Sequence, residues 1–239
     1  MKLGIMQPYF FPYLGHFALI DAVDQWVVFD VTQYKPKTWM NRNRILHPSS
    51  GWQYITVPLS NSSISIKTSD AKVLDIAKAK NSIIGKLSHY KKKAPFFFQV
   101  NKLVKQAFDN VSNDSLVHLN VSALSVVCEY LDIPFNYQIC SELKLDYPKD
   151  TGPGEWAPFI SGALGASQYI NPLSGGELFN TADFQQHNVE LILSDFTLNP
   201  YDTGSYDFEP GLSILDVMMW NSPEQIKGML KHSSHLVRA

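Results

Sequence analysis

"KLGIMQPYFFPYLGHFALIDAVDQWVVFD", residues 2–30, decides the fold. Residues 2–6 are a short apolar run and read as a buried strand. Pro8 and Pro12 punctuate its exit, and Pro12 can open a helix, where a missing N–H costs nothing. Residues 13–24 read as a helix with apolar side chains nearly all round, which predicts cover on both sides. "QWVVFD", residues 25–30, is a continuous β-branched run, as expected of a buried parallel strand. Strand, helix and strand in this order make a βαβ unit, and such units imply an α/β fold with a parallel sheet.

Outward from this stretch, "TWMNRNRIL" (38–46) and "WQYITVPL" (52–59) flank the turn "HPSSG", predicting a hairpin or two linked extended segments. Residues 76–131 read as three helices, the third with Asp114 or Ser115 as its cap. Residues ~70–132 are therefore expected to form a helical insertion or subdomain that covers a site, within one α/β domain spanning 1–239. "FNYQI" (135–139) returns to strand, and "DTGPGEW" (150–156) is a loop leading into a helix over 157–166. "SQYINP" (167–172) is a strand, "LSGGELF" a glycine turn into a further helix, and "VELILSDF" (189–196) is expected to close the sheet. The tail, 211–230, reads as two short helices.

Composition narrows the function. A net charge of −2 argues against a dedicated nucleic-acid binder, so DNA is not expected as a partner. There is no apolar run of about twenty residues, hence no membrane span is expected. The first residues lack the pattern of a cleaved secretion signal, and the cytoplasm is the expected location. Two cysteines, Cys128 and Cys140, make neither a disulfide scaffold nor a Cys-rich zinc site. Cys128 lies in helical register with Leu124 and Leu131 and is expected to be a buried thiol. The seven histidines show no H-E-x-x-H spacing, so no metal site is expected, and neither a G-x-S-x-G elbow nor a P-loop is present.

Candidate site residues come from four places. Residues 7–16 leave the first strand at its carboxyl end, where ligands of open parallel sheets bind. The following helix terminus suits an anion. There Gly15 admits a ligand or simply close packing, and His16 shuttles a proton, contacts an anion, or is a structural histidine. In "WMNRNRI", strand alternation sets Asn41 and Asn43 on one side with Trp39 and Ile45, and Arg42 and Arg44 on the other. An arginine pair on one face can grip phosphate or carboxylate, or else make surface ion pairs; Asn41 and Asn43 on the other face can read sugar hydroxyls or an amide, and Trp39 and Trp52 can stack on a sugar. Ser174, Gly175 and Gly176 read as a helix N-terminus with anion-binding capacity or as a plain turn. Asp30, ending the second strand ahead of Tyr34, is a ribose ligand, a base or a turn cap. Glu155 and Trp156 are similarly placed, and the lysines from Lys78 to Lys93 read first as a solvated face.

"PYLGHF" resembles the right half of the H-x-G-H signature of class I tRNA synthetases and nucleotidylyltransferases, with Pro12 or Tyr13 where the first histidine would stand. That resemblance implies a Rossmann-like sheet and a phosphate contact for His16. At larger scale the chain resembles the WbqC-like family, through "MQPYFFPYLGHFALIDAVDQWVVFDVTQY", "WMNRNRI" with "ITVPL", "ASQYINPLSGGELF" with "ADFQQHNVEL", and "FEPGLSILDVMMWN". The family resemblance implies Gln7, Pro8, Tyr9, Gly15, Asp30, Gln33, Tyr34, Trp39, Asn41 and Arg42 as site-like residues. It also implies a transferase of bacterial polysaccharide or modified-sugar biosynthesis, placing an aminoacyl (glycyl among them) or acyl group on the amine of an amino sugar or sugar nucleotide. In that reading Arg42 and Arg44 hold a phosphate or carboxylate, His16 or Asp30 takes the proton, and Tyr9 and Trp39 stack on sugar or base. ATP is the expected cofactor if the carboxyl group must be activated. An aminoacyl-tRNA or other carrier-borne donor is the expected alternative, with the basic helix as its contact. The competing functions are a nucleotidylyltransferase or adenylate-forming enzyme of the H-x-G-H type, and a non-catalytic sugar-nucleotide binding module.

Overall fold

A computed structural model describes residues 1–63, 65–147 and 151–239; Asp150, the first residue of the Gly/Pro loop, lies outside the described residues. The chain opens with β1 (Lys2–Met6), α1 (Leu14–Asp21) and β2 (Gln25–Val28), the βαβ unit expected. The hairpin β3 (Arg42–Leu46) and β4 (Trp52–Thr56) follows, then the short pair β5 (Leu59–Asn61) and β6 (Lys72–Val73). Three helices come next: α2 (Ile76–Leu87), α3 (Phe97–Asp109) and α4 (Leu116–Leu131). Asp75 and Ser115 cap α2 and α4 by accepting from backbone N–H groups three residues on. The second half runs β7 (Tyr137–Ile139), α5 (Trp156–Ala163), β8 (Gln168–Pro172), α6 (Thr181–Gln186) and β9 (Glu190–Phe196). It ends with α7 (Ile214–Trp220), α8 (Pro223–Ser233) and β10 (Ser234–Arg238).

Six strands form the main sheet in the order β10-β9-β8-β1-β2-β7. All neighbours are parallel except β10, which runs antiparallel to β9. From β1 the chain builds outward to β2 and β7, then returns to the other side of β1 for β8 and β9. The direction of building therefore reverses between β1 and β8.

Strand alternation gives the sheet two apolar faces. Trp26, Val28, Ile139, Ile170 and Ile192 face one core, shared with α1, α4, α7 and α8. Leu3, Ile5, Val27, Tyr169 and Leu191 face the other, covered by Ala157 and Ile160 of α5 and Phe184 of α6. Helices α2, α3 and α4 contribute Ile83, Val104, Leu124 and others to the first core, continuous with Phe10, Phe17 and Trp26. Cys128 is buried there.

Two expectations are corrected. Residues 189–196 do not close the sheet, because β10 pairs outside β9 over Ser234–Arg238. Helix α1 is shorter than residues 13–24, and Pro12 precedes its cap, Tyr13, instead of opening it.

Gly4 lies opposite Trp26, and a Cβ there would fall 2.8 Å from the indole, itself buried against α1. Gly4→Ala should destabilise the fold by about 1–3 kcal/mol through overpacking, read as a lower urea midpoint. An unchanged midpoint would mean that Trp26 moves aside freely.

Candidate functional site

The segment after β1 is fixed by its own carbonyl groups. Asn120 Nδ2, inside α4, donates to Pro8 O at 2.7 Å and to Met40 O at 2.8 Å. Asn43 Nδ2, on β3, donates to Phe10 O at 3.1 Å and Phe11 O at 3.0 Å. Ser213 Oγ donates to Phe11 O at 2.7 Å, Ile214 N to Pro12 O at 2.8 Å, and Phe10 N to Trp39 O at 2.8 Å. These bonds hold Phe11 at φ 38°, a left-handed conformation that a bulky residue adopts only when its surroundings impose it. Phe10 and Phe11 are fully buried. The loop is thus a floor nailed to a helix, a hairpin and the start of α7.

On that floor lies a cavity of about 280 Å³. Met6, Tyr9 and Tyr13 come from the floor, Trp39 and Asn43 from the hairpin, and Ser174 from the turn after β8. It stands outside the carboxyl ends of β1 and β8, where the sheet reverses its order of building, which is where open α/β sheets bind ligands. A smaller cleft of about 90 Å³ shares Tyr13, Pro172 and Ser174 and adds Asp195 from the carboxyl end of β9. Burial raises the Tyr9 and Tyr13 hydroxyl pKa values, so both phenols stay neutral.

At the mouth the hairpin presents an arginine–aromatic face. Arg44 lies 5.4 Å from the Trp39 ring and 5.0 Å from the Trp52 ring, and Arg42 lies 4.1 Å over Tyr54. Arg44 Nη2 donates to Gly211 O at 3.2 Å and Arg42 Nη2 to Lys37 O at 2.6 Å. The Nε–H of each is buried without a partner, and among the described residues neither arginine is ion-paired.

Of the predicted residues, Tyr9, Trp39 and Ser174 line the cavity, and Arg44 meets its rim at Trp39 and Gly211. Gln7 lies behind Tyr9, whose hydroxyl donates to Gln7 Oε1 at 3.5 Å. The remaining predictions are corrected. His16 is buried within 5.1 Å of the Trp26 ring and 5.7 Å of Tyr9, its Nε2 has no partner, and burial lowers its pKa to about 3. It cannot shuttle protons at neutral pH. Gly15 lines the smaller cleft and also permits close packing, since a Cβ there would strike the Tyr13 ring and fall 2.7 Å from Phe196. Asp30 is buried, with both oxygens occupied by Ser141, whose backbone N donates at 2.8 Å and whose hydroxyl donates at 2.6 Å. Burial raises the Asp30 pKa, opposed by those hydrogen bonds. It staples β2 to the segment after β7.

Gln33 bridges Lys67 on the surface, Tyr34 is a buried core residue, and Asn41 donates to Val57 O at 3.1 Å; none of the three lines the cavity. Arg42 stands beyond the rim. Ser174 and Gly175 lie inside a 3-10 turn, Leu173–Leu178, and the next α-helix starts only at Thr181 under its own Asn180 cap. No group of three or more His, Cys, Asp or Glu among the described residues is placed to hold a metal. Among the described residues, no helix is long and apolar enough to cross a membrane.

Sequence reading missed Asn120, Tyr13 and Asp195 as site-building residues, and Asn43, expected to read sugar hydroxyls or an amide, instead gives its amide hydrogens to Phe10 O and Phe11 O. Asn120 carried one signal, a lone carboxamide amid the apolar residues of α4. Asp195 carried another, a polar residue at the carboxyl end of a strand.

Fold and cavity together define an α/β protein with a mostly parallel six-stranded sheet and a cavity at its switch point. The chain belongs to the WbqC-like protein family, whose model matches residues 7–228. It is 25 % identical over 218 residues to "Uncharacterized protein Rv1507c" of Mycobacterium tuberculosis, covering 91 % of this chain and 92 % of that one. No solved structure matches it.

His16 makes stability depend on pH. Its folded pKa lies below its ordinary value of 6.5, so below that pH the unfolded chain takes up a proton that the folded one refuses. Stability should fall as pH drops from about 6.5 toward 3, by up to about 1.4 kcal/mol per pH unit from this residue. His16→Gln should flatten that part of the slope in urea titrations at pH 7, 6 and 5. An equal slope in both proteins would show that His16 protonates without cost.

Proposed function

We propose that this protein transfers an aminoacyl group, glycyl among the candidates, or another acyl group to the amine of an amino sugar or sugar nucleotide, in polysaccharide or modified-sugar biosynthesis. The observation that carries the reading is the cavity itself. It has the size of a monosaccharide, stands at the switch point, is walled by Tyr9, Tyr13 and Trp39, and has an unpaired guanidinium, Arg44, at its rim. Aromatic walls suit the apolar faces of a sugar ring, and a few placed polar groups orient it. Membership of the WbqC-like family is compatible with this reading. Numbered by chain order, the six strands run 3-2-1-4-5-6 from β7 to β10, the order of Rossmann-like sheets, which supports a nucleotide-linked substrate.

An ammonium group is no nucleophile, so the acceptor must lose a proton before its nitrogen attacks the acyl carbon and expels the donor's leaving group, the tRNA 3′-terminal hydroxyl of an aminoacyl-tRNA or the phosphate or AMP of an ATP-activated acid. We assign this to Asp195, a carboxylate among the residues lining the cleft with Tyr13 and Ser174. It replaces His16 and Asp30 in that role. The Ser174 hydroxyl would bond a sugar hydroxyl, and Arg44 a phosphate or carboxylate of the substrate. If the donor arrives as a free acid, ATP is the activating reagent we propose; an aminoacyl-tRNA or other carrier-borne donor needs none. A cytoplasmic location is part of the same proposal. The H-x-G-H nucleotidylyltransferase reading is weaker, because His16 faces the core and the first turn of α1 is covered by Tyr13 and Phe196.

The test is amine-dependent turnover. The protein is incubated with glucosamine 1-phosphate, glycine and ATP, or with glycyl-tRNA, and the sugar is analysed by mass. A glycylated sugar is expected, and Asp195→Asn should slow its formation about 100-fold or more while leaving the melting temperature unchanged. Full activity in Asp195→Asn would remove Asp195 from catalysis. Pyrophosphate release without any amine acceptor would favour the nucleotidylyltransferase, and sugar binding without turnover the non-catalytic module.

A further inference from the structure

We propose that the arginine–aromatic face of the β3–β4 hairpin is a handle site for a nucleoside diphosphate, so that the acceptor is a nucleotide-linked amino sugar and not a free one. The inference rests on the proposed reading of the cavity as the sugar site and adds the class of group attached to the sugar. Size comes first. A cavity of about 280 Å³ is at the small end of ligand pockets, which run to roughly 300–1,000 Å³, so a sugar ring fills much of it. Whatever is linked to the sugar must lie outside the mouth.

The surface at the mouth is ordered. Trp39, 39 % exposed, forms both the cavity wall and the first step of the face. Arg44 is next, between the Trp39 and Trp52 rings. Trp52 is 40 % exposed and packs on Tyr54 at 5.0 Å, beyond which Arg42 lies over the Tyr54 ring. Ring, cation, ring is the sequence that sugar, diphosphate and base require. Arg44 is held in place by Gly211 O and, among the described residues, has no carboxylate to neutralise it.

Glu209 stands at the far end. Its Oε1 lies 3.8 Å from where a Cβ on Gly51 would be, at the hairpin turn next to Trp52. A carboxylate beside a base-stacking ring is suited to accept the hydroxyls of a ribose, as acidic residues do in dinucleotide sites. The same free carboxylate disfavours a polynucleotide, whose phosphates recur along the chain.

The experiment is calorimetric titration of the full chain with UDP, GDP, ADP, CDP, dTDP and glucosamine 1-phosphate. At least one nucleoside diphosphate should bind. Arg44→Ala and Trp52→Ala should each weaken it about tenfold or more, and Glu209→Gln should weaken the ribonucleotide more than its 2′-deoxy counterpart. Arg44→Lys, which keeps charge without a flat stacking surface, should fall between wild type and Arg44→Ala. Melting temperatures check each variant's fold. The proposal is overturned if no nucleoside diphosphate binds, or if binding survives both Arg44→Ala and Trp52→Ala in folded protein. Glycyl transfer to glucosamine 1-phosphate without nucleotide binding would defeat this handle and leave the transferase standing. Nucleotide binding with the stated losses, but no acyl transfer to any amino sugar, would do the reverse.

Discussion

Two buried carboxamides, Asn43 and Asn120, hold the structure's functional end together. Each spends both hydrogens of its amide on carbonyls of the loop after β1 and its neighbours. A buried carbonyl without a donor costs about 1–3 kcal/mol, so four such bonds strongly bias the loop toward one path. That path turns Phe10 and Phe11 into the core and leaves Tyr9 and Tyr13 for the cavity. Because Asn120 belongs to α4 and Asn43 to the hairpin, the same bonds tie the helical block and the hairpin to the central strand.

A second polar cluster seats the hairpin from behind. Leu46 N donates to Tyr90 Oη at 2.9 Å, and the Tyr90 and Tyr201 hydroxyls donate to the buried carboxylate of Asp216 on α7. Burial raises the Asp216 pKa, and the two tyrosine hydrogen bonds oppose the rise. With Asn43 in front and Tyr90 behind, β3 presents Arg44 to the cavity mouth from a fixed base. Preorganisation of this kind is what a site needs if a cation is to meet an anion without first reordering itself.

The fold was legible where periodicity was strong. The run from Lys2 to Asp30 announced the βαβ unit, and the alternation of "WMNRNRI" put Arg42 and Arg44 on one face, as observed in β3, but it set Trp39 on the other face, whereas Trp39 precedes the strand and packs against Arg44. The terminal strand escaped because "SHLVR" follows α8 directly, with no turn residue and no alternating pattern to separate it. The site was legible only in part. Trp39, Tyr9 and Ser174 came from position along the chain, but His16 and Asp30 were chosen by chemical type, and type does not reveal burial. His16 sits on the side of α1 that meets Trp26, and Asp30 is consumed by Ser141, 111 residues away in sequence. Asp195 reaches the cleft only because β9 joins the sheet two places from β1, a long-range fact that no local pattern carries.

Met6 offers the most direct test of the cavity as the sugar site. It is the one methionine of six that lines this cavity, while Met40, Met218 and Met219 are buried elsewhere in the core. The protein labelled with ¹³C at its methionine methyl groups would be titrated with glucosamine 1-phosphate and followed by NMR. A saturable shift of the Met6 methyl, with Met218 and Met219 unmoved, is the predicted result. Saturable binding that leaves Met6 unmoved would place the sugar elsewhere and contradict the account.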